Sequence, residues 1–256
     1  MSTVLSPAVH SGKIIAPQRF HTLTLVEVRK MTSTRSGRAV LAAVLFIALA
    51  AIVWELFHAG AIPPSWEGYS GVLPVIGTTL AMIGLLGMTA EWTQRTALTT
   101  FTLSPRRIRV LLSKIAAALL IGVVLTGIAV AFAMIAYPIA SSHTTFATTN
   151  AGMGASIAST FIAVALNIIM GAGFGALLSI SAAALVTYFA APLLFATLGV
   201  QLLGTSAKWL DITGAIQNIS QREIAGQWPQ TITSIVVWIV LPMIAGLWVS
   251  AHREVK

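Results

Sequence analysis

Few side chains in this 256-residue sequence can do chemistry, and their spacing limits which chemistry is open to them. The five histidines, at positions 10, 21, 58, 143 and 252, are too dispersed to form a metal-ligand pattern, so no metal site is expected. There is no cysteine, which removes thiolate nucleophiles, disulfides and thiolate-held metals and leaves no clue to redox compartment. A phosphate-binding loop needs Gly-x-x-x-x-Gly-Lys-Ser/Thr, and none of Lys13, Lys30, Lys114, Lys208 or Lys256 stands in that setting. No catalytic residue and no cofactor are therefore expected in this chain. What remains is Glu55 with His58 close behind it, a lone Asn167, and a segment from Glu91 to Lys114 rich in Arg and Thr.

The elements that must position these groups follow from composition. The chain is 57% hydrophobic and 9% charged, where a soluble domain carries about 25% charged residues. Its mean hydropathy is +0.89. Too few charges exist to coat a water-facing surface, which excludes a soluble enzyme, a disordered chain and a disulfide scaffold. Six apolar stretches approach the roughly 20 residues that cross a bilayer as helix: Ala39–Phe57, Gly71–Ala90, Ile115–Ala140, Ile157–Leu178, Ala183–Leu203 and Ile232–Val249. Period-two alternation is absent, so the expected fold is an all-α membrane protein and not a barrel. The fourth and fifth stretches are joined only by Ser179, Ile180 and Ser181, which predicts a tight turn there.

Five of the six spans contain no ionisable side chain, and Glu55 and His58 fall at the outer end of the first, within reach of headgroup water. A proton-driven carrier lacks its titratable groups, so the energy for any work must come from another polypeptide. Asn167 can hydrogen-bond a neighbouring helix or contact a substrate. Together with Tyr188 and Pro192 of the fifth span it is a candidate for lining a pathway or for packing. Gly171 and Gly175 have the spacing that lets helices approach closely, and Pro192 and Pro242 should disturb their helices.

Orientation follows from the cations. Lys13, Arg19, Arg29, Lys30, Arg35 and Arg38 precede the first span. Arg95, Arg106, Arg107, Arg109 and Lys114 lie between the second and third, and Arg253 and Lys256 follow the last. With six spans these segments share one face, leaving only Lys208 and Arg222 opposite. This asymmetry predicts cytoplasmic termini in a plasma membrane and explains the net charge of +8 without nucleic acid. Residues 1–17 read as a mobile tail, not a signal peptide, because cations interrupt any apolar core. Residues 18–251 read as one membrane domain and 252–256 as a cytoplasmic tail. From Gln18 to Gly37 apolar and charged residues mix, with Glu27, Arg29 and Lys30 at the centre. That suits either a surface helix with its apolar side in lipid or a basic flank that fixes topology.

Between the second and third spans, residues 91–103 carry no breaker and have an acid in the first turn, which reads as a short surface helix ended by Pro105. This segment resembles the second-to-third loop of permease subunits of ABC-2 type ATP-binding-cassette exporters, with Glu91, Thr96, Thr100, Pro105, Arg107 and Lys114 in matching positions. The stretch from Val26 to Arg35 is similar to that family's N-terminal amphipathic helix, and the excursion from Trp209 to Gly226 to its short outer-face helices. Ala90 and Arg95 depart from the family pattern. The resemblance implies a separate ATPase subunit that binds ATP and Mg and acts through a cytoplasmic coupling helix over 91–103. It also implies a second permease copy and an amphiphilic cargo. Within it, Glu91, Arg95, Thr96, Thr100, Pro105 and Arg107 are expected to couple to the ATPase. Glu91 is expected to pair with a basic group of the partner or with Arg29 or Lys30, at too small an energy to hold the fold. A membrane anchor without a pathway, or a channel or carrier not driven by ATP, is the alternative.

Overall fold

The computed structural model describes residues 19–58, 66–93, 107–142 and 153–252. Among the described residues every regular element is helical and no strand occurs. In chain order they are α1 (Phe20–Ser33), α2 (Arg35–His58), α3 (Trp66–Thr93), α4 (Arg107–Ser142), α5 (Met153–Leu178), α6 (Ser181–Leu194), α7 (Ile212–Gln221), α8 (Trp228–Ile235) and α9 (Leu241–His252). Five of the described helical stretches are long and apolar enough to cross a membrane: Arg35–Trp54, Arg107–Ala136, Met153–Leu178, Ser181–Trp209 and Trp228–His252. Helix α3, at 28 residues, closes on the polar triplet Glu91-Trp92-Thr93 and is not one of the five.

Helices α3 and α5 form the axis of the bundle and pair along much of their length. In lipid, where apolar side chains gain nothing by leaving solvent, such pairing rests on close approach of small residues. Gly171 and Gly175 face α3 as that principle requires. A Cβ at Gly175 would stand 2.6 Å from the Leu85 carbonyl oxygen, so only glycine lets the backbones meet there. The span containing α5 is 61% buried inside the chain, against 17% for α2 and for the last span. Those peripheral helices therefore offer most of their apolar surface outward.

The axis divides the interior. On one side Val44, Ala48 and Ile52 of α2 pack with Ile76 and Leu80 of α3 and Ala118, Ala129 and Ala133 of α4. On the other, Leu85 and Phe174 meet Ala184 and Tyr188 of α6, Ile212 and Ile216 of α7, and Ile239. The predicted turn between the fourth and fifth stretches is present: Ser179 has φ 57°, in the left-handed region, and Ile180 is extended before α6 starts. The disturbance expected at each proline takes the form of a π turn. Phe195–Gly199 follows Pro192, and Val236–Val240 precedes Pro242, whose missing N–H leaves a carbonyl of the preceding turn without its α-helical donor.

Helix α7 buries Ile212, Ala215, Ile216 and Ile219 along one side, and Asp211 caps its start by accepting from the Gly214 N–H at 2.9 Å. Ser159 Oγ donates to the Ser220 carbonyl at 2.7 Å, tying the end of α7 to the start of α5. Trp238 Nε1 donates to the Leu210 carbonyl at 2.7 Å, and Trp209 and Trp228 stay exposed beside α7 and α8. Short helices thus close one end of the bundle. At the opposite, basic end, α1, the start of α2, the end of α3, the start of α4 and the end of α9 come together.

Candidate functional site

Two polar sites stand out inside this apolar bundle, one at the basic end of the α3–α5 axis and one near the middle of α5. The first is built from charges. Glu27 and Lys30 lie one turn apart on α1 and pair at 2.8 Å. Lys114, two turns past the start of α4 and 3% exposed, reaches Glu27 Oε2 at 3.0 Å and Glu91 Oε1 at 3.2 Å. It also donates to the Gly87 carbonyl at 3.3 Å. Lys30 Nζ stands 3.6 Å from the same Glu91 oxygen.

Two carboxylates and two ammonium groups alternate, so the cluster is neutral as a whole and each buried charge has an opposite neighbour. Burial raises the Glu27 carboxyl, but the Lys114 and Lys30 ammonium groups outweigh it and hold it below the usual carboxylate range. Burial lowers Lys30, and Glu27 followed by Glu91 outweighs that, leaving it above the ordinary lysine value. Both shifts favour the charged forms at neutral pH. A network of this kind adds little net stability over an apolar replacement, but removing one member costs about 3–5 kcal/mol by stranding a buried charge. Its consequence is positional: it fixes α1 against the inner faces of α3 and α4.

The structure corrects two sequence expectations here. Glu91 does not open a separate surface helix; α3 runs through it to Thr93, and Glu91 is 5% exposed within the bundle. Its pairing therefore does bear on the fold, because burial raises the cost of breaking it well above that of an exposed pair. Helix α1 docks through Thr24 and Glu27, which are buried, while Leu25 and Val26 on its apolar side are exposed. Of the two basic partners expected for Glu91, Lys30 is in the cluster and Arg29 is exposed outside it. Arg107 donates from Nη1 to the Ala251 carbonyl at 3.2 Å, where its charge suits the C-terminal end of α9. Arg95, Thr96, Thr100 and Pro105 lie outside the described residues, as do the side chains of Glu55 and His58.

The second site is neutral. Asn167 does reach a neighbouring helix: Tyr188 Oη donates to Asn167 Oδ1 at 2.8 Å, and Asn167 Nδ2 donates to the Ala163 carbonyl at 2.9 Å. Both line a cavity of about 390 Å³ together with Pro192, Phe189, Gln217 and Gln221. The three pathway candidates, Asn167, Tyr188 and Pro192, thus share one wall. Gln217 and Gln221 come from α7, in the excursion that the resemblance likened to outer-face helices, and the sequence did not single them out. The sequence places Lys114 at the start of the third span and among the positions that match the resembled loop, without pairing it to either carboxylate. The signal that could have singled it out is its setting, one ammonium with apolar Val110-Leu111-Leu112 before it and Ile115-Ala116-Ala117 after. Among the described residues no three His, Asp or Glu side chains converge as a metal site would require. No protein-family model matches the chain, and no curated protein sequence is significantly similar to it.

Proposed function

We propose that this chain is the membrane-spanning permease subunit of an ATP-driven exporter of the ABC-2 type. It crosses the plasma membrane six times, α3 supplying the sixth span beside the five most apolar stretches, and both termini face the cytoplasm. The observation that carries the reading is the four-charge cluster. It fastens α1 to both flanks of the 94–106 segment, the end of α3 and the start of α4, so that a push on that segment is delivered to three helices as one body. A partner ATPase that binds ATP and Mg would supply the push, and this chain supplies no nucleotide site of its own.

The neutral cavity between α5, α6 and α7 suits an amphiphilic, uncharged face of a cargo such as a drug, a peptide antibiotic or a lipid-linked molecule, because it offers amides and a phenol but no ion. The thinly buried outer faces of α2 and of the last span leave room for a second permease copy as well as lipid. Affinity purification of the tagged full chain from membranes, in mild detergent with ATP, tests the whole reading. A nucleotide-hydrolysing subunit recovered in equal amount, in a particle of two permeases and two ATPases, supports it. Recovery of the chain alone, with no ATP hydrolysis above that of mock-purified membranes, refutes it.

A further inference from the structure

Beside the charge cluster lies a second cavity, of about 480 Å³, within the range of small-ligand sites. Its walls are of two kinds. Val40 and Leu41 of α2 face Ile83 and Leu86 of α3 across an apolar half, and Lys30, Glu91 and Lys114 form the other half. Three features restrict the occupant. Lys30 is 48% exposed at its side chain and presents an ammonium group that is not enclosed. Glu91 Oε1 is buried and within ion-pair distance of two lysines, yet accepts no aligned hydrogen bond. The apolar half lies beside these groups, and nothing polar from α2 closes it off except the small Ser36, with Thr34 just before that helix.

A single ion would satisfy one of these features and leave the others unmet. A fatty acid would find Lys30 but repel Glu91. A headgroup carrying both an anion and an N–H-bearing cation fits all of them. We propose that this cleft is a seat for one aminophospholipid of the adjoining leaflet. Its phosphate draws the Lys30 ammonium away from its 3.6 Å approach to Glu91 Oε1, its primary ammonium takes the place of Lys30 at that oxygen, and an acyl chain runs between Val40, Leu41, Ile83 and Leu86. The donor requirement sets the specificity: an ethanolamine headgroup has N–H groups for the orphaned oxygen, and a choline headgroup, with the same charges, has none. The inference depends on membrane embedding alone and stands or falls separately from the export reading.

The test uses the full-length chain in detergent, with native mass spectrometry and thermal unfolding read against added phosphatidylethanolamine, phosphatidylcholine and phosphatidylglycerol of the same acyl chains. One charge-assisted hydrogen bond predicts that the ethanolamine lipid is retained about tenfold more strongly than the choline lipid, and the unfolding midpoint rises with the former. Val40→Phe narrows the apolar half without touching a charge and should lower retention of both zwitterionic lipids while the protein without lipid unfolds as before. Glu91→Gln should collapse the ethanolamine preference, leaving the residual retention equal for the two. Equal retention of ethanolamine and choline lipids by the unaltered chain overturns the proposal. So does a preference for the anionic lipid, which would reduce the effect to the surrounding arginines, and so does retention of the ethanolamine lipid that Val40→Phe leaves as strong as in the unaltered chain.

Discussion

The two polar sites of this bundle solve the same problem in opposite ways. At the basic end four full charges from α1, α3 and α4 neutralise one another, and Lys30 keeps one side toward solvent. Deeper along the axis, Asn167 and Tyr188 satisfy each other with a single neutral hydrogen bond beside an open cavity. Depth accounts for the difference. Charges are tolerable near headgroup water and expensive in mid-membrane, whereas an amide–phenol pair carries no ionic desolvation cost. The consequence is mechanical. The charged site clamps, since losing one member strands another. The neutral site can open and re-form at the scale of one hydrogen bond, which is the scale on which two conformations of a protein are balanced.

The comparison breaks first if the two ends do not lie on opposite sides of the membrane, and that test is all-or-none. The chain has no native cysteine, so single cysteines report cleanly. Glu223→Cys, exposed just past α7, should react with an impermeant thiol reagent in intact cells, and Thr32→Cys, exposed on α1, should react only after permeabilisation. Labelling of Thr32→Cys from outside would reverse the orientation.

Next in size is the clamp itself. Lys114→Met removes one ammonium and leaves Glu27 and Glu91 buried with Lys30 alone, which should destabilise the chain by about 3–5 kcal/mol. Glu27→Gln alone should cost less than Lys114→Met, because the ammonium it leaves in excess is that of Lys30, which is half exposed, whereas Lys114→Met leaves a buried carboxylate in excess. If both leave the unfolding midpoint unchanged, the four groups do not act as a buried network. At the neutral site the expected effect is smaller. Tyr188→Phe leaves Asn167 Oδ1 without its donor, at about 1–3 kcal/mol, and Asn167→Leu removes the amide altogether. The double variant should cost less than the sum of the two, and strict additivity in that cycle would show that the pair is not coupled.

These tests bear on groups that the sequence exposed unevenly. Five of the six expected spans were legible because each is a long apolar run with few breakers; the sixth, Gly71–Ala90, lies in α3, which is not among the helices apolar enough to cross. The turn at Ser179 was legible because one helix could not continue through both apolar stretches. The glycines at 171 and 175 declared a close approach but not its partner, since any helix could have filled the groove; α3 does so through Leu85. The clamp was the least legible. Glu27 and Lys114 are 87 positions apart, and no local period connects them. On α1 the exposed Leu25 and Val26 agree with an apolar side turned to lipid, but nothing in the sequence showed that Glu27 would dock between Val28 and Met31, which pack against the core. Asn167 and Tyr188, only 21 positions apart on neighbouring helices joined by the short turn, were easier to place on one wall.

The smallest effect expected is the pH response of the clamp, and its sign follows from Glu27. Its carboxyl in the folded chain lies below the ordinary value of 4.5, so its pairing stabilises the fold fully above that value. That contribution is lost as pH falls through the folded value, below 4.5. Lys30 acts at the other extreme: it is raised above 10.5, so its contribution is complete below 10.5 and disappears only at still higher pH. Between about pH 5 and 9 the clamp should therefore be indifferent to pH. The chain has other carboxylates, so the midpoint of the unaltered chain alone does not isolate the effect. The difference in midpoint between the unaltered chain and Glu27→Gln does. It should be constant from pH 9 to 5 and shrink as the pH is taken from 4.5 toward 3, because protonation then removes the charge that the variant already lacks. A difference that stays the same down to pH 3 would mean that Glu27 holds α1 by shape and hydrogen bonding, and the contrast between a charged clamp and a neutral hinge would lose its physical basis.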